Sequence, residues 1–351
     1  MTNEKCEDSR PVANSRKRLC RRGAVRKKAP PWEGFGEAAY LRGMQTVLVT
    51  GANGFVGYYL VQQLLEKSFR VVATGKGENR LPFNHPNLAY VKMDFTVEEE
   101  VDATFSNFQP AIVVHCGAIS KPDECEQNRE AAFRSNVAGT ANLLQAAGMC
   151  KAHFIFLSSD FVFSGDKGSY QENDERGPVN YYGQTKVLAE DEVGCYPFDW
   201  SIVRMVLVYG KTFSGRENIV TNTAKALQQG KPLKIFTDQV RTPTYVEDLA
   251  AGIVAIINKK ATGIFHLSGE DVKTPYEIAF ETAQISGYDT SLITAVTADQ
   301  FQQPARRPAN TSFTISKAKK ELGFQPVSFA EGLKKTFQSI NGLCRKPFLR
   351  P

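Results

Sequence analysis

A short glycine-rich turn places the strongest constraint on how this chain folds. Gly51, Gly54 and Gly57 are spaced three residues apart between an apolar run at 47–49 and a helix-forming stretch at 58–65. Glycine permits a positive φ at a tight bend, close backbone approach to a ligand and close packing of a helix on a strand. The spacing therefore predicts a strand that turns sharply into a helix whose free amides can bind an anion. Taken alone, the triplet is also consistent with a flexible loop.

The flanking segments favour a nucleotide-binding turn over a flexible loop. Residues 46–50 are rich in β-branched side chains, apolar residues after Gly54 recur at helical spacing, and a second apolar strand follows at 70–73. Strand and helix patterns then alternate, which predicts a parallel sheet covered on both faces. The expected fold class is α/β, with a Rossmann-type doubly wound parallel sheet and a smaller C-terminal substrate-binding lobe. Later elements are expected as strands at 88–92, 111–116, 153–158 and 201–208 and as helices from near Glu124 through Ala147 and over 181–192.

The chain is expected to divide into four segments. Residues 44–210 form mainly the nucleotide-binding domain, residues 211–340 mainly the second lobe with some return to the sheet, and residues 341–351 a tail. Residues 1–43 hold 11 Lys and Arg against 5 Asp and Glu, which accounts for the whole net charge of +6. Because few large apolar residues occur there, this basic extension is expected to be disordered. The preferred interpretation is that translation begins at Met44; a transit peptide and a nucleic-acid arm are the alternatives.

The rest of the composition predicts the environment of the protein. Balanced charge beyond the basic extension argues against a nucleic-acid partner. The chain shows neither an apolar stretch of membrane-spanning length nor a signal core, which predicts no membrane association and a cytoplasmic location. The seven cysteines are scattered without metal-binding spacing, as expected for reduced thiols and no metal site. His115 and His153 fall in predicted buried strands and are expected to be packed rather than reactive.

The end of the second predicted strand bears on which nicotinamide cofactor is bound. An NAD-specific site usually carries an acidic residue there, which holds the ribose 2′-hydroxyl. This chain has Gly75 at the equivalent position, followed by Lys76, with Arg80 close by and the nearest acid, Glu78, displaced into the loop. The pattern favours NADP(H) over NAD(H), which stays an alternative because incidental cations on a solvated loop would look the same.

A tyrosine and a lysine four residues apart predict proton-transfer chemistry. Tyr182 and Lys186 share one face of a predicted helix, and Ser159 ends a central strand, where ligands of open parallel sheets bind. A free phenol has a pKa of about 10, and a neighbouring ammonium that favours the phenolate makes it a usable acid or base. A serine at the strand end can hydrogen-bond a substrate oxygen. The alternative is a surface pair and a turn-capping serine, and the combination with the glycine turn favours catalysis.

Several motifs together resemble a known superfamily. They are TGANGFVG at 50–57, SSDFVFSG at 158–165, YGQTK at 182–186, VYG at 208–210, TPTY at 242–245, DLA at 248–250 and RRP at 306–308. On these motifs, residues 44 to about 340 resemble the extended short-chain dehydrogenases/reductases and, within them, most resemble the dTDP-4-dehydrorhamnose reductase family.

The resemblance implies a reaction and a set of residues that carry it. A nicotinamide would deliver a hydride to the C4 ketone of a nucleotide-sugar while Tyr182 protonates the ketone oxygen, Ser159 holds that oxygen and Lys186 binds the nicotinamide ribose. Asn136 matches a helix asparagine that supports the active-site geometry. The implied cofactor contacts are Gly51, Asn53, Gly54, Phe55, Val56, Gly57, Lys76, Asp94, Phe95, Cys116, Gly117, Ala118, Tyr182 and Lys186.

Two of these implied contacts carry additional information. Asp94 matches the residue that contacts the adenine after the third strand. Gly117 is a departure, because the family more usually has alanine at that position of the turn beside the cofactor. The departure leaves the expected fold unchanged and concerns only the local cofactor contacts.

The substrate contacts follow from the diphosphate of a nucleotide-sugar, which favours arginine forks. Arg241, Arg306 and Arg307 are the candidates, and plain surface cations are the alternative. Ser159 and Asp160 complete the expected substrate-binding set.

Three functions stay open at this point. The first is NAD(P)H-dependent reduction of a 4-keto nucleotide-sugar, with a homodimer as a common assembly of relatives. The second is an NAD-dependent nucleotide-sugar epimerase of the same superfamily. The third is a non-catalytic regulatory subunit similar to the methionine adenosyltransferase beta subunit. Retention of Ser159, Tyr182 and Lys186 favours catalysis over the third.

Overall fold

The computed structural model describes residues 45–213, 215 and 217–341, without the side chains of residues 339–341. The predicted basic extension, the proposed start at Met44 and the tail beyond residue 341 lie outside the described residues.

The described residues contain eleven strands. They are β1 (Thr46–Thr50), β2 (Arg70–Gly75), β3 (Leu88–Lys92), β4 (Ile112–His115), β5 (His153–Ser159), β6 (Trp200–Met205), β7 (Val208–Tyr209), β8 (Leu233–Phe236), β9 (Thr244–Tyr245), β10 (Gly263–Leu267) and β11 (Ile293–Val296). Seven form one sheet in the order β10-β6-β5-β4-β1-β2-β3, and β11 pairs with β8 and β7 with β9. All pairings within the large sheet are parallel, which confirms the predicted fold class.

Ten α-helices connect these strands in the described part of the chain. They are α1 (Phe55–Glu66), α2 (Glu98–Phe108), α3 (Pro122–Gln127), α4 (Arg129–Phe133), α5 (Gly139–Cys150), α6 (Tyr181–Gly194), α7 (Ile219–Gln228), α8 (Val246–Lys259), α9 (Pro275–Ser286) and α10 (Phe329–Asn341). Short 3-10 turns occur at Asp160–Val162, Thr290–Leu292 and Ala298–Gln300, and π-helical turns at Arg134–Ala138 and Ala318–Leu322.

Successive residues of each strand point to opposite faces of the sheet, and each face is covered by its own apolar core. Val47 and Val49 pack with the apolar sides of α1 and α8, whereas Leu48 packs with α2, α5 and α6 on the opposite face. This two-sided burial explains why the strands are continuously apolar in sequence. The spatial order reverses between β1 and β4, which opens a crevice at the carboxyl ends of these two strands.

The helix expected from near Glu124 through Ala147 is divided into α3, α4, a π-helical turn and α5. Asn128 ends α3 and caps α4 by accepting a hydrogen bond from the Ala131 amide. Within the π-helical turn, the Asn136 amide group donates to the carbonyl of Ile119 and accepts from its amide. The division therefore ties the helix to the loop after β4.

The strand expected at 201–208 is also divided. β6 ends at Met205, and Leu207 has a φ of 36° before the chain resumes as β7. The break turns the chain across the carboxyl edge of the sheet, beside the crevice.

Part of the C-terminal segment returns to the sheet, and another part forms a separate apolar cluster. β10 is the edge strand next to β6, and α8 packs on α1. α7, α9, β8 and β11 pack together away from the large sheet. Across the part of the chain that the structure describes, none of the helices combines the length and apolar character needed to cross a membrane.

Candidate active site

A cavity of about 820 Å³ occupies the crevice at the carboxyl ends of β1 and β4. It is lined by Gly51, Asn53, Gly54, Phe55, Val56, Gly57, Gly75, Lys76, Gly77, Glu78, Arg80, Cys116, Gly117, Ala118, Ser120, Leu157, Tyr182, Lys186, Met205, Leu207, Val208, Glu217, Asn218 and Ile219. Twelve of the fourteen predicted cofactor contacts are in this set.

The glycine turn is shaped by contacts that a side chain would prevent. Gly51 has a φ of 64°, and a Cβ added to it would lie 2.9 Å from the Gly117 amide nitrogen. A Cβ on Gly57 would lie 2.4 Å from the Gly51 carbonyl oxygen. Gly54 caps α1 without a side-chain hydrogen bond, which leaves the amides of the first turn available to an anion.

Polar groups hold the loop after β2 against this turn. Asn53 Nδ2 donates to the Glu78 carbonyl at 2.9 Å, and Asn53 Oδ1 accepts from the Arg80 amide at 3.0 Å. Lys76 Nζ lies 3.1 Å from Asp94 Oδ2, and the Lys76 side chain is 54% exposed. Two cationic side chains, Lys76 and Arg80, therefore face the end of the cavity next to β2.

Asp94 and Phe95 lie behind the cavity wall instead of lining it. Asp94 contacts Lys76, as above, and accepts hydrogen bonds from the amide and hydroxyl of Thr96. Phe95 is 7% exposed, and its ring lies beneath Gly117 and Gly139. The geometry assigns both residues to supporting the loops that reach the cavity.

Tyr182 and Lys186 reach the cavity from α6, whose start is fixed by its cap. Asn180 accepts a hydrogen bond from the Gly183 amide, so the helix begins with Tyr181. Tyr182 is 6% and Lys186 3% exposed, and Lys186 Nζ donates to the Leu157 carbonyl at 2.8 Å. Burial lowers the pKa of Lys186 to about 8, with the nearby Glu190 carboxylate opposing the shift.

His115 is buried near Lys186. Its ring nitrogens contact the hydroxyls of Thr50 at 2.6 Å and Thr140 at 3.2 Å. Burial, with the charge of Lys186 as a second cause, lowers the pKa of His115 to about 3. A neutral imidazole in this position acts as a structural link between β1, β4 and α5.

Ser159 ends β5 at the same edge of the sheet but does not line the cavity. It is 7% exposed, its Oγ lies 3.0 Å from Asp160 Oδ1, and it accepts from the Phe161 amide at 3.3 Å. The preceding Ser158 faces the other way and donates to Glu190 Oε1 at 2.6 Å.

Arg241, a predicted diphosphate contact, does not line the cavity. It is 4% exposed, and its guanidinium donates to the carbonyls of Val240, Ala309 and Pro308. Its Nε lies 3.7 Å from Asp160 Oδ2. Because these donors are already used inside the protein, we infer a structural role for Arg241 instead of a substrate contact.

Arg307 is paired across the two parts of the molecule. Its Nη1 and Nη2 donate to the two carboxylate oxygens of Asp123 at 2.5 and 2.7 Å. The side chains of Arg307 and Asp123 are 17% and 39% exposed. The neighbouring Arg306 is exposed, and its carbonyl accepts from Asn180 Nδ2 at 2.7 Å.

The wall contributed by the segment before α7 was not predicted from the sequence. Glu217, Asn218 and Ile219 line the cavity. Asn218 forms a capping box with Thr221, and its Nδ2 donates to the Gly210 carbonyl at 2.7 Å. An asparagine just before the amphipathic run at 219–228 was the signal for this helix start.

A doubly wound parallel sheet, with a glycine turn and a tyrosine–lysine pair at its carboxyl edge, defines a dinucleotide-binding protein of the extended short-chain dehydrogenase/reductase class. The model of the RmlD substrate binding domain matches residues 44–341, and the chain belongs to this family. Among the residues that the structure describes, no group of His, Cys, Asp and Glu is arranged to hold a metal ion.

The chain is similar to proteins whose names describe different roles. The spore coat polysaccharide biosynthesis protein SpsK of Bacillus subtilis is 30% identical over 86% of this chain and 100% of its own length. The methionine adenosyltransferase 2 subunit beta of Mus musculus is 31% identical over 83% of this chain and 86% of its own length. A solved dTDP-4-dehydrorhamnose reductase from Bacillus anthracis, in complex with NADP, is 27% identical with a TM-score of 0.75 over 84% of this chain and 99% of that chain.

Proposed function

We propose that this protein uses NAD(P)H to reduce the 4-keto group of a nucleotide-sugar, as in dTDP-4-dehydrorhamnose reduction. The observation that carries the proposal is that the glycine turn, Tyr182 and Lys186 line one cavity. Membership of the family, and the NADP complex of the reductase from Bacillus anthracis, support it.

The cavity fits a dinucleotide. Its volume of about 820 Å³ accommodates a large ligand. Because Gly51 and Gly57 carry no side chains, a pyrophosphate could approach the backbone of the turn closely. The first-turn amides of α1 would hold the pyrophosphate. Lys76 and Arg80 would hold a 2′-phosphate, so NADPH is the proposed cofactor.

Tyr182 and Lys186 would perform the proton chemistry. When bound, a reduced nicotinamide supplies the hydride. Tyr182 donates its phenolic proton to the ketone oxygen as negative charge develops there, and the Lys186 ammonium stabilises the phenolate that remains. Ser159 would hold the same oxygen from the end of β5. Since the pKa of Lys186 is about 8, this lysine is mostly charged at neutral pH.

Ser159, Asp160 and Arg307 are the proposed substrate contacts. Arg307 is the proposed diphosphate contact, because its partner Asp123 is partly exposed and a phosphate can compete for the same guanidinium fork. The proposed substrate class, a nucleotide-sugar, is taken from the relatives that are named as dTDP-4-dehydrorhamnose reductases.

A turnover assay tests the proposal. Purified protein is mixed with NADPH or NADH and dTDP-4-dehydro-6-deoxy-L-mannose, and loss of the reduced-nicotinamide absorbance is followed. Tyr182→Phe should lower the rate by about 10²- to 10⁴-fold with unchanged NADPH affinity, because only the proton donor is lost. The matched control is Tyr181→Phe, which removes a phenol one residue earlier on α6, outside the cavity, and should retain the rate. Wild-type turnover in Tyr182→Phe would refute the assignment.

A regulatory role is the second candidate, and the 31% identity to a methionine adenosyltransferase subunit favours it specifically. It predicts nucleotide binding without turnover of any 4-keto nucleotide-sugar, and formation of a complex with a methionine adenosyltransferase catalytic subunit. Size-exclusion chromatography of the mixed proteins measures that complex. An epimerase would use the same tyrosine and lysine, so the assay products are also analysed for epimerised sugar without net cofactor oxidation.

A further inference from the structure

Tyr90, on β3, lies next to the loop that follows β2 and does not itself line the cavity. It pairs in register with Ala73 of β2, so its side chain lies on the same face of the sheet as residues 73 and 75. Its ring packs against the apolar core on that face. The Tyr90 hydroxyl thereby reaches the end of β2, which is where an NAD-specific site usually carries its acidic residue.

The Tyr90 hydroxyl belongs to a set of hydrogen bonds that fixes this loop. It donates to the Gly77 carbonyl at 2.7 Å and accepts from Asn53 Nδ2 at 2.7 Å. Asn53, in the glycine turn, also donates from Nδ2 to the Glu78 carbonyl at 2.9 Å and accepts from the Arg80 amide at 3.0 Å. The loop is therefore held at residues 77, 78 and 80, and the hydroxyl joins it to both β3 and the glycine turn.

The same hydroxyl occupies the space that a side chain at residue 75 would need. A Cβ added to Gly75 would lie 2.9 Å from Tyr90 Oη, and the next nearest atoms are Asn53 Nδ2 at 3.3 Å and Asn53 Cγ at 3.9 Å. The ring carbons of Tyr90 are no closer than these, so the hydroxyl is the part of Tyr90 that stands in the way. It can move only by breaking its hydrogen bonds to Gly77 and Asn53, which would release the loop.

The charges of the loop favour a phosphate over a ribose hydroxyl. Lys76 and Arg80 line the cavity beside Gly75. The acid of the loop, Glu78, has its carboxylate 3.4 Å from Lys92 Nζ on β3. A 2′-phosphate at this edge would therefore meet two cations, whereas a ribose 2′-hydroxyl would find no carboxylate at residue 75 to accept its hydrogen.

We propose that Tyr90 is a specificity-determining residue for the cofactor, because its hydroxyl fixes the loop that presents Lys76 and Arg80 to a 2′-phosphate and fills the place of an NAD-binding acid at residue 75. The inference rests on the proposed function, in which NADPH is the cofactor. It concerns the choice between NADPH and NADH and leaves the reaction unchanged. Tyr90 acts through the loop, so it is a positioning residue.

Tyr90→Phe tests the first part of the proposal, because it keeps the ring and removes the hydroxyl. In fluorescence titrations the Kd for NADPH should rise about three- to tenfold, and the Kd for NADH should change less than about twofold, since NADH carries no 2′-phosphate. The control is Tyr196→Phe, which removes a hydroxyl that donates to the Ala152 carbonyl at 2.7 Å in the core on the opposite face. It should leave both affinities unchanged. An unchanged ratio of the two Kd values in Tyr90→Phe would overturn the inference.

Gly75→Asp tests the second part, because it supplies the acid while the hydroxyl is still in place. NADPH should bind at least about tenfold more weakly through repulsion of its phosphate, and NADH should bind no tighter than to wild type, because Tyr90 and Asn53 hold the new carboxylate away from the ribose. Adding Tyr90→Phe opens the space, so the double variant should bind NADH about tenfold tighter than Gly75→Asp does. Tighter NADH binding by Gly75→Asp alone would contradict the proposal.

Tyr90→Phe also keeps the inference testable if Gly75→Asp does not fold. Calorimetric titration with adenosine 2′,5′-bisphosphate and with 5′-AMP, which differ only in the 2′-phosphate, should show weaker binding of the first and unchanged binding of the second. Hydrogen exchange should become faster at the Arg80 amide, whose acceptor Asn53 has lost a partner. Equal weakening of both ligands would indicate a merely structural role and overturn the inference.

These measurements need no turnover, so they separate failure of this inference from failure of the proposed function. The expected affinities without reduction of any 4-keto nucleotide-sugar would count against the reductase proposal alone. Turnover by a wild-type protein that binds NADH as tightly as NADPH would overturn the inference alone.

Discussion

Replacing Gly51 by alanine tests the physical basis of the nucleotide-binding turn. The residue has a φ of 64°, and adopting the left-handed conformation costs an alanine about 1–2 kcal/mol. Its added Cβ would also lie 2.9 Å from Gly117 N and 3.0 Å from Cys116 C. These are backbone atoms at the end of β4, which cannot rotate away, and such overpacking costs about 1–3 kcal/mol. Gly51→Ala should therefore lower the free energy of unfolding by about 2–5 kcal/mol.

Two other glycines separate the conformational cost from the steric one. Gly287, which ends α9, has a φ of 71° and no atom within 4 Å of an added Cβ, so Gly287→Ala should cost about 1 kcal/mol. Gly194, at the end of α6, has helical backbone and equally open surroundings, so Gly194→Ala should change the stability by less than about 0.5 kcal/mol.

Urea unfolding of the three variants, with and without NADPH, measures both consequences of the Gly51 contact. The steric part of the Gly51→Ala cost forces β1 and β4 apart at the crevice, so the stabilisation that NADPH gives the wild type should be lost in this variant and retained in the other two. A cost for Gly51→Ala equal to that for Gly287→Ala, with normal stabilisation by NADPH, would refute the steric reasoning.

Three further outcomes are expected. The rate should fall as pH rises above about 8, because burial lowers the pKa of Lys186 to about 8 and the ammonium is lost above that value; a pH–rate profile of kcat measures this. Lys76→Ala should weaken NADPH about fivefold and leave NADH unchanged in fluorescence titrations, since a half-exposed cation contributes about 1 kcal/mol. Glu190→Gln should cost about 3–5 kcal/mol in urea unfolding by leaving the buried Arg204 without its ion-pair partner, and adding Arg204→Met should recover most of that loss.

The features predicted well from sequence are those set by neighbours along the chain. The glycine turn and the tyrosine–lysine pair depend on strand-to-helix geometry and on helical spacing, which operate within a few residues. The parallel sheet follows from apolar strands buried on both faces. Local patterns of this kind can be read from the sequence, because contacts with distant segments do not change them.

The features predicted poorly depend on contacts between distant segments. Arg307 meets Asp123 across 184 positions of sequence, and Thr311 meets Asp160 across 151. Neither pairing leaves a periodic or compositional signal. Arg241 illustrates the consequence, since an arginine in a loop suggested a diphosphate contact, whereas its donors are used by the neighbouring Val240 carbonyl and by the carbonyls of Pro308 and Ala309 from a distant segment.

The departure at Gly117 is explained by one such distant contact. A Cβ at this position would lie 2.5 Å from Phe95 Cε1, and a Cβ at Gly139 would lie 2.6 Å from Phe95 Cδ2. The Phe95 ring also meets His115 edge-on at 5.0 Å between centroids, so it is enclosed on three sides. An alanine at residue 117 would have to displace this ring. Gly117 and Phe95 therefore act as a pair, because the Phe95 ring occupies the volume that a methyl group on residue 117 would need. A smaller residue at 95 should accordingly make Gly117→Ala tolerable, whereas the single change is destabilising.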